Sequence, residues 1–230
     1  VILATVSAFK DLPYIETWGD VPVLGIIGNQ RGTVPAYQEV YQKVREQHHF
    51  ITYVHDDVEC LEEDWHHRIA PEFDDPKVAI VGFGGATGMG VDSIYKVPYD
   101  ITQLQRIDYY SNQVGWQIHG KRETGARDVA VVDGFAMAVR TSFLDQIGGW
   151  KGFNFNFHGY DLYLCLMAHR KGWKVRMVGV HCDHHGGRTS CSAEYITWCR
   201  EHGTTPEREH TEPHAFLYDH FRDVLPLRVR

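Results

Sequence analysis

The sequence predicts an α/β domain built on a largely parallel sheet, because short β-branched apolar runs alternate with segments of helical period. Residues 1–8 and 21–27 are short and bounded by turn residues, as buried strands are, and a polar stretch containing proline separates them. Residues 36–47 then place Val40 and Val44 at helical spacing, and 50–54 return to strand character. A helix-like segment follows over 61–69 and another strand over 77–81. In such sheets ligands sit beyond the carboxyl ends of the strands.

A chain of 230 residues with 43% hydrophobic and 23% charged residues is long enough for one sizeable core. Its formal net charge of −7 argues against a nucleic-acid partner, since binding a phosphate backbone needs a dense basic surface. A small anionic ligand is allowed, provided local cations or a metal meet it. No run approaches the ~20 apolar residues that span a bilayer, so a soluble chain is expected. Five cysteines, odd in number and without a CxxC pair, suggest no disulfide framework and a reducing cytoplasm. Cys182, Cys191 and Cys199 with their neighbouring histidines match no common zinc spacing.

From 82 to 127 the pattern dissolves into glycine, proline and polar residues, with Tyr109, Tyr110 and Trp116 scattered through it. So long an irregular stretch is expected to be a binding loop or lid. Its start, Gly82-Phe83-Gly84-Gly85-Ala86-Thr87-Gly88, approaches a dinucleotide fingerprint, but the third glycine is misplaced and no amphipathic helix follows. A flexible loop is the expectation there. Order returns over 129–139, then a short helix near 141–147, a Gly148-Gly149-Trp150 turn, a helix over 161–171 closed by Gly172, and a strand over 174–180. The tail from Ala193 alternates helical stretches with charged loops.

Four places carry candidate chemistry. Asp56 and Asp57 stand together at the end of an apolar strand, where a divalent cation offsets their repulsion and bridges to phosphate oxygens. On the pair alone, capping of the next turn weighs equally. Asp133 follows another strand, and Gly134 implies a close backbone approach by a ligand or a neighbouring segment. Asp161 precedes a helix after Phe157-His158-Gly159-Tyr160, and is either an N-cap or a general base among aromatic side chains. His181, His184 and His185 crowd the turn after a strand, and one imidazole there can complete a metal site.

In order and spacing, His55-Asp56-Asp57-Val58, Val132-Asp133-Gly134-Phe135, Gly148-Gly149-Trp150, His158-Gly159-Tyr160-Asp161-Leu162 and Cys182-Asp183-His184-His185-Gly186-Gly187 resemble a known family. It is that of the family-2-like nucleotide-diphospho-sugar transferases of the GT-A fold, bacterial and phage-type members in particular. The resemblance runs from about Val21 to Gly187, with 1–8 as the first strand.

It implies one GT-A-like catalytic domain over 1–230: a nucleotide-binding half at 1–81, an acceptor lid at 82–127, an acceptor and catalytic half at 128–190 and a helical tail at 191–230. His55-Asp56-Asp57 resembles the DXD-type element, with Asp57 as metal ligand and Asp56 nearer the ribose or the metal's water shell. Asp133 matches an acid lining the donor or acceptor pocket. Asp161 matches the base of inverting members, and His184 best matches the late metal-binding histidine, with His181 and His185 as substitutes. Where the family carries an Asn-rich turn after the first strand, this chain has Val6-Ser7-Ala8-Phe9-Lys10. The implied activity is a hexosyltransferase-like transfer from a nucleotide-diphosphate sugar to an acceptor hydroxyl, with Mn²⁺ or Mg²⁺ as cofactor. Two other classes remain open on the same residues: a metal-dependent phosphohydrolase or nucleotidyltransferase, and a non-catalytic carbohydrate-binding protein.

Overall fold

The computed structural model describes residues 1–90, 106–115, 120–186 and 192–229. In chain order its strands are β1 (Ile2–Val6), β2 (Val23–Ile26), β3 (Phe50–His55), β4 (Val58–Cys60), β5 (Val78–Gly82), β6 (Gly84–Met89), β7 (Arg106–Ser111), β8 (Gln113–Gly115), β9 (Lys121–Arg122), β10 (Ala126–Val129), β11 (Val131–Val132), β12 (Ala136–Arg140), β13 (Lys174–Val178), β14 (Cys182–His184) and β15 (Leu227–Arg228). The helices are α1 (Thr33–Val44), α2 (Trp65–Ile69), α3 (Thr141–Ile147), α4 (Tyr160–Arg170), α5 (Ala193–Glu201) and α6 (Pro206–His220).

The central sheet has seven strands in the order β10-β13-β5-β12-β3-β1-β2. Strands β2, β1, β3, β5 and β13 run one way, and β12 and β10 run the other. β3 is apolar because both its faces are covered. Ile51 and Tyr53 join the cluster under α1, α3 and α4, whereas Val54 joins Trp18, Trp65 and Ile69 on the opposite face. Helix α1 buries Tyr37, Val40, Tyr41 and Val44, a spacing that makes one apolar stripe. Each such fully buried side chain contributes roughly 1.5–3 kcal/mol.

The reversed β12 positions the site. Its amino end pairs with the carboxyl end of β3, Ala136 opposite Val54, and the His55 amide donates to the Phe135 carbonyl at 2.8 Å. Asp133 and Gly134 are thereby delivered beside His55-Asp56-Asp57, although 76 positions of numbering separate Asp57 from Asp133.

The glycine-rich start of the expected loop is a strand. β6 pairs with β7, β11 and β15, and Gly84, Gly85 and Gly88 are buried in it. A Cβ at Gly85 would lie 2.6 Å from the Val131 carbonyl oxygen and one at Gly88 2.9 Å from Ile107 Cβ. These glycines serve close approach of neighbouring strands rather than flexibility. The remaining described part of 82–127 supplies β7 to β10. Tyr109 packs against the core, and Tyr110 lies beneath the Arg127 guanidinium, 3.8 Å from the ring centroid. Trp116 lies outside the described residues. The expected 61–69 helix begins only at Trp65. β4, β14 and β8 form a small separate sheet that carries His184. No helix among the described residues is long and apolar enough to cross a membrane.

Candidate active site

Beyond the carboxyl ends of β1 and β3 opens a cleft of ≈ 300 Å³. Asp56, Asp57, Asp133, Asp161 and His184 all line it, together with His55. The five residues singled out by the sequence therefore share one cavity.

Asp57 is 6% exposed and stands between two imidazoles. Its Oδ1 lies 3.5 Å from His184 Nε2 and 3.9 Å from His55 Nδ1, and the donor atoms of the three residues all fall within 4.8 Å of one another. Adjacent ligands of an octahedral ion at ~2.1 Å stand about 3 Å apart, so the Asp57 carboxylate and the two imidazoles, now 3.5 and 3.9 Å from it, must draw together to close on a cation. One carboxylate and two imidazoles suit a borderline divalent ion better than a hard, oxygen-seeking one.

The hydrogen bonds around His55 assign its tautomer. Tyr160 donates its hydroxyl proton to the Gly134 carbonyl at 3.0 Å, so its oxygen accepts from His55 Nε2 at 2.6 Å. The Nδ1 lone pair is then left facing Asp57. Burial lowers the His55 pKa, outweighing the opposing pull of Asp57, and keeps the ring neutral as a ligand must be. His184 is fixed differently: β14 pairs with β4, setting His184 opposite Val58, and its ring stacks on Phe135 at 5.1 Å. His185 turns away to Tyr14 and Glu59, and His181 lines a separate hollow.

Asp161 is not the N-cap of α4. Gly159 holds that place with φ 76°, and Asp161 sits in the first helical turn, where a negative charge is favoured. Its Oδ2 accepts the Gly134 amide at 2.9 Å. Gly134 admits both contacts because it has no side chain; a Cβ there would lie 2.5 Å from the Tyr160 hydroxyl. Asp133 accepts weakly from the Phe135 amide at 3.4 Å. Asp56 is 8% exposed, and with Asp57 it adds to burial in raising the pKa of Tyr37, whose hydroxyl donates to the Val54 carbonyl.

The other end of the cleft is aromatic and rich in histidine. His158 Nε2 lies 3.1 Å from the Tyr195 hydroxyl, and α6 contributes His210 and His214. Burial, then the neighbouring His210 and His214, push the His158 pKa down to about 3.

Over residues 23–211 the sequence matches the model of a family described as "Glycosyltransferase like family". The chain belongs to that glycosyltransferase-like family. No curated protein sequence gives a significant match. Its fold is the GT-A glycosyltransferase fold of several solved structures. GalNAc-T7 with UDP, GalNAc and Mn²⁺ superposes with a TM-score of 0.53 at 12% identity, covering 99% of this chain and 52% of that one. S. aureus TarS 1–349 gives 0.51 at 8% identity, covering 100% of this chain and 75% of that one. The same protein in complex with UDP-GlcNAc gives 0.50 at 10%, covering 87% and 64%. The chain thus spans about half of GalNAc-T7.

Two contributions to this glycosyltransferase-like cleft escape the sequence reading. His55 is legible in the sequence only as part of a motif; the fold sets it at the last residue of β3, with its donor atom within reach of those of Asp57 and His184. The tail's Tyr195, His210 and His214 reach the cleft through the packing of α5 and α6. The His-x-x-x-His spacing of 210 and 214 put both on one helix face, which was a readable signal.

Proposed function

We propose that this cleft transfers a sugar from a nucleotide-diphosphate sugar to an acceptor hydroxyl, with inversion at the transferred carbon and Asp161 as general base. One observation carries the reading. The Gly134 amide donates to Asp161 and the Gly134 carbonyl accepts from Tyr160, which in turn holds His55, so the base and one of the cation donors hang on one hydrogen-bonded frame. Such fixed placement is what an in-line displacement requires of its enzyme.

Asp57, His55 and His184 would hold a divalent cation, and two imidazoles beside one carboxylate favour Mn²⁺ over Mg²⁺. When bound, the cation supplies charge neutralisation to the departing diphosphate. Asp56, in the DXD-like element, would meet the ribose or the cation's water shell, and Asp133, which lines the same cleft, the donor sugar or the acceptor. Asp161 takes the proton of the acceptor hydroxyl as that oxygen bonds the anomeric carbon on the face opposite the leaving nucleoside diphosphate. Within one catalytic unit, 1–81 serves the nucleotide and 128–190 the acceptor and the chemistry. TarS and GalNAc-T7 were solved with uridine nucleotides, which makes UDP-sugars the first donors to try.

The test incubates wild type and Asp161→Asn with UDP- and GDP-sugars and Mn²⁺ and identifies the products. Wild type is expected to release intact nucleoside diphosphate, and the variant to lose about 10²–10⁴-fold in rate, the usual worth of a general base. UDP or GDP with Mn²⁺ should still raise the melting temperature of the variant. Release of inorganic phosphate or pyrophosphate supports the phosphohydrolase or nucleotidyltransferase class instead. Binding of sugars with no turnover and no need for Mn²⁺ supports a carbohydrate-binding protein.

A further inference from the structure

We propose that Cys60 and Cys182 form a cross-strand disulfide when the protein folds in an oxidising environment. The two residues are far apart in sequence, but the register of β4 against β14 sets them directly opposite each other. The Leu61 amide donates to the His181 carbonyl at 2.9 Å and the His185 amide to the Asp57 carbonyl at 3.0 Å, which makes 61/181 and 57/185 the hydrogen-bonded rungs. Rungs alternate in an antiparallel ladder, so 60/182 is a non-hydrogen-bonded pair. In such pairs the Cα atoms stand about 4.5 Å apart, inside the ~4.4–6.8 Å range that a disulfide spans. Both Cβ atoms project from the same face of the ladder.

That face is dry. Cys60 is 5% exposed, Cys182 is fully buried, and both belong to one apolar cluster with Val58, Val180 and Trp65. In the reduced state the Cys60 thiol donates to the Glu62 carbonyl at 3.3 Å, a weak bond that rotation about Cα–Cβ gives up. The other described cysteines have different surroundings: Cys165 Sγ accepts the Val132 amide, and Cys199 packs with Tyr195 and Trp198. The fold therefore pairs Cys60 with Cys182 and with no other described cysteine.

Because both sulfurs are shielded once the small sheet has closed, the bond forms during folding. One cysteine thiolate attacks glutathione disulfide and expels a glutathione thiolate; the second cysteine then attacks the mixed disulfide and expels the other. The two protein thiols lose two protons and two electrons, and one glutathione disulfide becomes two glutathione molecules. The new bond ties together the ladder whose neighbouring residues include Asp57 and His184.

The experiment unfolds the full chain, refolds it in glutathione redox buffer or in dithiothreitol, alkylates free thiols and maps the peptides by mass spectrometry. A linked Cys60–Cys182 peptide is expected from the redox buffer alone, with melting raised by roughly 10 °C over the reduced form, as a disulfide closing a long loop gives. Cys60→Ala should form no such link and melt alike in both buffers. Alkylation of both thiols after oxidative refolding, or a bond from either residue to another cysteine such as Cys191, overturns the proposal. The wild-type peptide map decides the matter even where the variant fails to fold.

Discussion

The Tyr160 hydroxyl bridges His55 Nε2, at 2.6 Å, and the Gly134 carbonyl, at 3.0 Å, so that one phenol fixes the tautomer of an imidazole in the candidate cation set. Tyr160→Phe keeps the ring in its packing against Tyr37 and removes only this bridge. Loss of such a partner behind a ligating histidine typically weakens metal affinity by about 10–100-fold. A Mn²⁺ titration of the variant should show a loss in that range with the far-ultraviolet spectrum unchanged. An affinity within twofold of wild type means that Tyr160 does not orient His55.

Gly134→Ala tests the same frame from the backbone side. The added methyl would lie 2.5 Å from the Tyr160 hydroxyl and 2.7 Å from its Cζ, contacts that force the ring or the peptide to move. Overpacking of this kind costs about 1–3 kcal/mol, to be read from urea unfolding. Mn²⁺ affinity should fall with it, since His55 loses its anchor. A variant as stable as wild type means that the ring yields freely.

Much of this cleft was legible because its residues stand where secondary structure changes. The run from Phe50 to Val54 reads as a buried strand, and acids just past its end fall by the fold's geometry into the cleft beyond the sheet. The match of 141–147 to α3 has a similar cause: helical spacing ended by Gly148, which takes a left-handed conformation with φ 77°. Illegible were the features decided by distant packing. The glycines of β6 looked like a loop, because nothing local says that Val131 and Ile107 will press against them. The reversed direction of β12, which brings Asp133 and Gly134 to Asp57, depends on pairing with β3 and β5 and leaves no local mark. His55 could be assigned a tautomer only once Tyr160 and Gly134 were in place.

His158 makes stability depend on pH in a stated direction. Its pKa is lowered from 6.5 to about 3 by burial and by His210 and His214. The unfolded chain therefore binds a proton below about pH 6.5 that the folded chain refuses. The stability from keeping His158 neutral is fully present above that pH and is lost as pH falls toward the folded value, by up to about 1.4 kcal/mol per pH unit. Urea unfolding of wild type and His158→Gln at pH 7, 6 and 5 should show wild type losing more stability on acidification. Parallel losses in the two proteins mean that His158 is not held neutral by the fold.

The convergence of His55, Asp57 and His184 on one cation is tested most directly by titrating Mn²⁺ into wild type, His55→Ala, Asp57→Asn and His184→Ala, with free Mn²⁺ read by electron paramagnetic resonance and His185→Ala as control. The expected result is one site per chain in wild type and in His185→Ala, weakened at least about 10-fold by each of the other three substitutions, as loss of a ligand weakens a site at least as much as loss of its supporting partner. Wild-type affinity in His55→Ala or His184→Ala would contradict it.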